Sequence, residues 1–185
     1  MDVAERVVAG IADPHQRLVK WADPAETRHK AQGWSWLEIM RGIRDGVLAG
    51  PPMASLMGFR CVEAEPGRIV MELRPDESLE NTIGLVHGAV AAAMLDTAMG
   101  AAAHTRLALD RAPVTLDLHI TYLKPVTVGS GPLRALGEVA SLSGRNAYVL
   151  GELRTGNGAL AAHAVGNFSI VGGAPAPSTK SETAA

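Results

Sequence analysis

The chain has 185 residues, of which 47% are hydrophobic, and this is enough for one hydrophobic core of ordinary domain size. Its formal net charge of −2 and its scattered basic residues argue against a nucleic-acid partner, which would select a basic patch. Cys61 is the single cysteine, so an internal disulfide cannot form, and this fits a reducing compartment.

The N-terminus and the longest apolar run argue against export and membrane insertion. The first residues lack the apolar segment of a secretory signal. The longest apolar run, residues 86–103, is interrupted by His87, Asp96 and Thr97, and it is too polar for a good membrane span. We therefore expect a cytoplasmic protein without a membrane partner.

Residues 1–50 are predicted to form an N-terminal helical arm. Asp13-Pro14 and Asp23-Pro24 each place an aspartate before a proline. This order is typical of helix starts, where the aspartate caps the helix and the proline is its first residue.

A second part of the arm carries its own helix signals. Ser35 and Glu38 have the spacing of a capping box. Apolar residues follow at helical intervals as far as Val47, and Gly50-Pro51-Pro52 is predicted to end the helix.

The residues after the arm predict one long helix, with strands before it and after it along the chain. The apolar period becomes two from Phe59, with a strand through residues 69–73, and the helix follows from about His87 to Leu107. Residues 114–122 alternate strictly and form the clearest strand. Further strands are predicted at 133–142, 145–154 and 160–171, with turns at 143–144 and 155–158.

This order of elements predicts an α+β fold in which one helix lies on one curved sheet. We divide the chain into the arm at 1–50, a main domain at 51–171 and a tail at 172–185. The tail is rich in Ala, Pro, Ser and Thr, and it is predicted to be disordered.

Within the long helix, Asp96 is the strongest functional signal. It lies in an apolar run, where an unpaired buried carboxylate is expensive. Desolvation there would make it a better base than a solvated aspartate. The alternative is a structural role, in which Asp96 only bonds a neighbouring loop.

Gly88 lies in the predicted first turn of the same helix. Its free N–H at the positive end of the helix dipole could hold an oxyanion, although a glycine can also be selected there for backbone shape. Gly88 and Asp96 are eight residues apart, or about 12 Å at ~1.5 Å per residue. A donor and a base that act on one carbonyl must lie within a few Å of it. Two antiparallel copies of the helix would meet this requirement, so a two-fold homodimer with shared sites is predicted.

One set of residues resembles the hotdog-fold acyl-CoA thioesterases of the PaaI-like (phenylacetyl-CoA thioesterase-like) family. The resemblance covers about residues 52–171 and leaves the arm outside. The family usually has His-Gly-Gly, and Ala89 replaces the second glycine here. The residues that resemble the family are Asn81, Gly84, His87-Gly88, Asp96, Gly100 and the segment Val114–Pro125.

The resemblance implies a hotdog fold, with a central helix wrapped by a curved antiparallel sheet, and the hydrolysis of acyl-CoA thioesters. It implies homodimers that often pair into tetramers. Asp96 would be the general base or the nucleophile, and Asn81 would be part of the site. Asn81 could bond the thioester carbonyl or the water, or else form an Asx turn. Thr115 matches a Ser/Thr position near the catalytic water, or is only a polar residue of a strand.

Other residues are weaker candidates for substrate binding. His87 is expected to order the loop and cap the helix rather than act as a base, and Ala89 lies beside Gly88. Lys124, Arg134 and Arg145 are candidate contacts for the phosphates of CoA, although surface cations are usually only solvated. Asp117 and His119 are interpreted as structural or interface residues.

No metal or cofactor is expected, because the histidines are dispersed and no dinucleotide or phosphate-loop motif is present. Two alternatives stay open, a hotdog hydratase or dehydratase and a non-catalytic acyl-CoA-binding module. The acyl group is also open, and the sequence permits an aryl or a medium-chain acyl.

Overall fold

The computed structural model describes residues 15–172, so the helix start predicted at Asp13-Pro14 and the tail after residue 172 lie outside the described residues. None of the helices within this range is both long and apolar enough to cross a membrane. The helices are α1 (Pro24–Lys30), α2 (Trp36–Arg44), α3 (Pro52–Met57) and α4 (Gly88–His104), and the strands are β1 (Arg60–Glu65), β2 (Arg68–Leu73), β3 (Arg111–Tyr122), β4 (Leu133–Ser143), β5 (Asn146–Arg154) and β6 (Leu160–Gly172).

The strands form one antiparallel sheet in the order β1-β2-β4-β5-β6-β3. Helix α4 packs on strands β2 to β6. The predicted α+β hotdog architecture, one long helix on an antiparallel sheet with a helical arm before it, is confirmed. The predicted helix from His87 to Leu107 is shorter by a turn at its end, since it runs from Gly88 to His104 with His87 as its N-cap.

Small residues let α4 approach the sheet closely. Met94, Leu95, Ala98 and Met99 are completely buried on the side of α4 that faces the sheet. Beneath them, a Cβ at Gly137 of β4 would lie 2.5 Å from the Ala98 carbonyl group. The helix backbone therefore rests directly on the sheet backbone, and this sets the depth of α4 in the fold.

Both helix starts predicted within the described part of the arm are confirmed. The Asp23 side chain accepts a hydrogen bond from the Ala25 N–H at 2.8 Å, with Pro24 as the first helical residue. Ser35 and Glu38 form the reciprocal capping box that their spacing predicts.

The predicted end of α2 is wrong. The helix ends at Arg44 rather than at Gly50, because Gly46 adopts a left-handed conformation with φ +74°. The chain then turns back, and the N–H groups of Val47 and Leu48 both donate to the Gly42 carbonyl. Val47 is 65% exposed instead of lying on the helical face, and Gly50-Pro51-Pro52 leads into α3.

The arm is fastened to the main domain by specific contacts. The Trp36 ring stacks on His104 of α4 with ring centroids 3.6 Å apart, and its Nε1–H donates to the Ala108 carbonyl at 3.2 Å. The Arg41 guanidinium donates to the Ala64 carbonyl of β1 at 3.3 Å. The arm therefore covers the β1 side of the sheet and the C-terminal end of α4.

The opposite edge of the sheet is open. Strand β3 is the last strand in the order and pairs only with β6. Its apolar residues Val114, Leu116 and Tyr122 are 49%, 63% and 53% exposed. A bulge at Leu116 interrupts the strict alternation that the sequence predicts for this strand.

We expect Gly137→Ala to lower the free energy of unfolding by about 1–3 kcal/mol, because the added methyl group must displace the α4 backbone. Gly129→Ala is the matched control, since its Cβ would meet only the Thr127 hydroxyl at 3.7 Å. Denaturant unfolding of the three proteins measures the difference. If both variants lost the same amount of unfolding free energy, the close approach of helix to sheet at Gly137 would be contradicted.

Candidate active site

The loop before α4 is held by the Asn81 side chain. Its Oδ1 accepts hydrogen bonds from the N–H groups of Ile83 at 3.0 Å and Leu85 at 3.1 Å. The backbone N–H of Asn81 also donates to the Leu85 carbonyl. Asn81 therefore closes an Asx turn, one of its two predicted roles, and this uses its carbonyl oxygen within the loop.

His87 caps α4, as the sequence predicts. Its Nδ1 accepts a hydrogen bond from the Ala89 N–H at 3.0 Å, and its own N–H donates to the Leu79 carbonyl. With Nδ1 as the acceptor, the neutral ring carries its proton on Nε2. The Ala89 amide is consumed by this cap and is not free for a substrate.

Gly88 is the first residue of α4, and its amide is free. The Gly88 N–H donates to no acceptor in the part of the chain that the structure describes. Its carbonyl accepts a hydrogen bond from the Tyr122 hydroxyl at 2.9 Å, so β3 fixes the start of the helix. The N–H lies at the positive end of the helix dipole, which suits it to bind an anion.

A cavity of about 330 Å³ opens beside this helix start. Asn81, His87, Gly88 and Lys124 contribute polar groups to its wall, and the rest is largely apolar. The exposed Lys124 is therefore near the free amide of Gly88 and can face a negatively charged ligand.

Asp96 and Thr115 lie together on another side of the molecule. The Thr115 hydroxyl donates to Asp96 Oδ1 at 2.8 Å, and this bond joins α4 to the edge strand β3. The other oxygen, Oδ2, accepts no hydrogen bond from residues 15–172. A carboxylate held by one oxygen and open at the other can accept a proton from a water or a ligand.

The environment of Asp96 differs from the sequence prediction. Its neighbours Met94, Leu95, Ala98 and Met99 in the sequence are fully buried, but Asp96 is half-buried on the opposite side of the helix. The helical period explains the difference, because residues 96, 97 and 100 form a half-buried stripe on the other side of the helix from the fully buried residues. This stripe faces a second cavity of about 730 Å³, which Asp96 and Thr115 both line.

The two functional groups of α4 thus face different cavities. Gly88 lines the smaller cavity and Asp96 the larger one, and neither cavity includes the other residue. Within one chain the free amide and the free carboxylate oxygen therefore line different cavities, and eight helical residues place them about 12 Å apart along α4 at ~1.5 Å per residue.

The basic candidates have different locations. Lys124 lines the smaller cavity, whereas the exposed Arg145 lies in the β4–β5 turn, outside the described cavities. Arg134 is paired with Glu63 and Glu72, with N–O distances of 3.4 and 3.1 Å. The structure therefore does not bring Arg134 and Arg145 to the helix start.

The sequence analysis did not predict two contacts between distant parts of the chain. Tyr122 had been assigned only to the alternating pattern of its strand, and nothing local in the sequence links it to Gly88. Asp117 was interpreted as structural or interfacial, and its carboxylate accepts hydrogen bonds from the Asn167 side chain at 3.1 and 3.0 Å. Both partners come from distant parts of the chain, so only the strand register reveals them.

Two titratable groups near the larger cavity are held neutral. Burial lowers the pKa of His104 to about 4, although a hydrogen bond with the Arg111 backbone acts in the opposite direction. Its Nε2 is buried and has no hydrogen-bond partner among the described residues. Burial also raises the pKa of the Cys61 thiol to about 11, so this thiol is a poor nucleophile at neutral pH.

Part of the chain is similar in sequence to known thioesterases. Residues 83–162 match the sequence model of the Thioesterase superfamily. Acyl-coenzyme A thioesterase 13 of Homo sapiens is 36% identical over 70 residues, which are 37% of this chain and 48% of the relative. The chain thus matches about half the length of this curated relative.

Solved structures show the same fold. The PaaI protein from the phenylacetic acid degradation operon of E. coli has a TM-score of 0.62 and 20% identity over 67% of this chain and 87% of its own. A protein of Streptococcus mutans UA159, solved bound to acetyl CoA, has a TM-score of 0.57 and 21% identity over 62% of this chain and 89% of its own. The chain is therefore similar to the Thioesterase superfamily over residues 83–162, and its hotdog fold is that of the PaaI proteins.

Proposed function

We propose that this protein hydrolyses acyl-CoA thioesters to a free acid and CoA. The observation that carries the proposal is the hydrogen bond from Thr115 to Asp96 at the wall of a large apolar cavity, in a chain similar to the Thioesterase superfamily. The relative named acyl-coenzyme A thioesterase 13 and the neighbour bound to acetyl CoA support the same ligand class.

Asp96 is the proposed catalytic carboxylate. As a general base it takes a proton from water, the resulting hydroxide adds to the thioester carbonyl carbon, and the C–S bond breaks. The proton then passes to the departing CoA thiolate. As a nucleophile, Asp96 adds to the same carbon itself, and the C–S bond breaks to release CoA thiolate and leave an acyl-aspartate anhydride. Water then hydrolyses the anhydride, which frees the acid, regenerates Asp96 and supplies the proton for the thiolate. Both routes use the free Oδ2, and the Thr115 hydroxyl orients the carboxylate in both.

The Gly88 N–H is the proposed oxyanion donor. Addition to the carbonyl places negative charge on its oxygen, and a backbone N–H at a helix start stabilises that charge without reorganisation. Gly88 is suited to this role because its amide is free and its position is fixed by Tyr122. His87 and Ala89 support it by forming the cap that shapes the first turn.

We further propose that each active site is shared between two copies of the chain. Gly88 and Asp96 line separate cavities in one chain, so Gly88 of one copy must face Asp96 of the other. The open edge of β3 is a suitable pairing surface, because its apolar residues are exposed. The same strand carries Thr115, which bonds Asp96, and Tyr122, which bonds Gly88.

The CoA moiety is assigned to the outer part of the site. Lys124 lies beside the helix start and is the proposed phosphate contact nearest to the scissile bond. Arg145 is a second proposed contact, which one copy would present from its β4–β5 turn. The acyl group is assigned to the larger cavity. Asn81 holds the loop before α4, which lines the smaller cavity.

The catalytic carboxylate is tested by Asp96→Asn, which preserves shape but removes the base. We expect kcat for thiol release from acyl-CoA to fall by about 10²-fold or more. Thr115→Val, which removes only the hydrogen bond to Asp96, should lower kcat by about tenfold, and Thr115→Ser should retain most of the activity. Wild-type protein that binds acyl-CoA without releasing thiol would instead identify a binding module.

The oxyanion donor is tested by Gly88→Pro, which removes the N–H at a position where helices tolerate proline. The His87 backbone, with φ −61° and ψ 137°, is also compatible with a following proline. We expect kcat to fall by about 10²-fold. Gly88→Ala is the matched control, since it keeps the N–H and adds a Cβ at 3.4 Å from Tyr122. An equal loss of kcat in Gly88→Pro and Gly88→Ala would indicate a packing effect and contradict the role of the amide.

A further inference from the structure

One face of α4 lines the larger cavity. From Asp96 this face continues through Thr97, Gly100 and Ala101 to His104. These residues cover two helical turns, and the face spans about 12 Å at ~1.5 Å per residue. Along α4, the cavity wall therefore extends from a reactive end at Asp96 to a distant end at His104.

The N-terminal arm forms the opposite wall. Helix α2 contributes Trp36, Ile39, Met40 and Ile43, which recur at helical spacing along one face. The stacking of Trp36 on His104 at 3.6 Å closes the distant end, and the orphaned Nε2 of His104 is covered there. Without the arm, this face of α4 would be open to solvent.

The lining has the chemistry of an acyl site. Apolar side chains from β1, β2 and β6 complete the wall, and Asp96 is the one carboxylate among the described residues that line the cavity. Arg28 and Arg60 also line it, but both are exposed at its rim. His104 is neutral near pH 7 because burial lowers its pKa to about 4. An uncharged apolar group that extends from a carbonyl at Asp96 therefore meets no buried charge along this cavity.

We propose that the arm and α4 form an acyl channel that selects extended apolar acyl chains of about eight to twelve carbons, and this rests on the proposed thioesterase function. An extended alkyl chain advances by about 1.3 Å per carbon, given bond lengths near 1.5 Å and angles near 111°, so about nine carbons fill 12 Å. A single aromatic ring would leave the distant half of the channel empty. The chain-length preference thus comes from the arm, which lies outside the family match at residues 83–162.

The test compares kcat/KM for decanoyl-CoA and butyryl-CoA. Each buried methylene contributes about a fourfold gain in binding. Decanoyl-CoA has about six more methylenes than butyryl-CoA, so even partial burial of them should make its wild-type kcat/KM at least about tenfold higher. Ile39→Trp and Ile43→Trp, which fill the channel from the arm, should each reduce this ratio to about one. Val47→Trp is the matched control, because Val47 is exposed on the arm outside the channel, and it should keep the wild-type ratio.

The outcomes separate the two proposals. Absence of thiol release from both esters in the wild type would overturn the proposed function. Hydrolysis of both esters at equal kcat/KM by the wild type would leave that function intact and overturn the channel. A decanoyl preference that survives both channel-filling variants would also overturn it. Thermal unfolding of each variant verifies folding, and equal kcat/KM for the two esters in the wild type overturns the channel even where a variant does not fold.

Discussion

The rigid length of one helix constrains the rest of this molecule. Helix α4 carries a free amide at its first residue, Gly88, and a free carboxylate oxygen at Asp96, and an α-helix cannot shorten the ~12 Å between them. Each group faces its own cavity. For this reason we propose that a second copy of the helix completes the site, and that the open β3 edge, which carries Thr115 and Tyr122, is the surface where the two copies pair.

The two faces of α4 have separate tasks. The face toward the sheet is fully buried and depends on small residues, with Gly137 in direct contact with the helix backbone. The other face is only half-buried and carries Asp96, Gly100 and His104. Close packing on the first face fixes the positions on the second, because the helix cannot rotate or rise without a clash. Precision at the site thus originates in the packing behind it.

The arm supplies one wall of the larger cavity, and the hotdog core alone lacks this wall. It is fastened at Trp36 and Arg41, one contact to the end of α4 and the other to β1, and between them it encloses the larger cavity. Helix α2 carries its own capping box, so the local sequence sets the residue at which this wall begins. Under the proposed acyl-channel role, the arm can change its lining without any change at Asp96 or Gly88.

Local features of this fold were predictable from the sequence, and distant contacts were not. The Asp23 cap, the Ser35–Glu38 capping box and the His87 cap each involve residues within three positions of each other, so spacing alone reveals them. The end of α2 was missed because a left-handed residue at Gly46 outweighs the apolar period that continues to Val47.

The environment of the site was harder to predict than its residues. Asp96 and Thr115 were both candidates, but their hydrogen bond depends on how β3 lies against α4. The pairing of Arg134 with Glu63 and Glu72 depends on the register of three strands, and it removes Arg134 from the phosphate candidates. The apolar neighbours of Asp96 in the sequence lie on the other face of the helix, so they gave a misleading view of its burial.

The most direct test of a shared active site is complementation between two inactive chains. Asp96→Asn and Gly88→Pro chains, carrying different affinity tags, are co-expressed and the mixed dimer is isolated. Each mixed dimer has one site with both native groups, so the account predicts about half of the wild-type kcat per dimer. A mixed dimer no more active than its parents, with both variants folded and dimeric, would show that Gly88 and Asp96 act within one chain and would contradict the account.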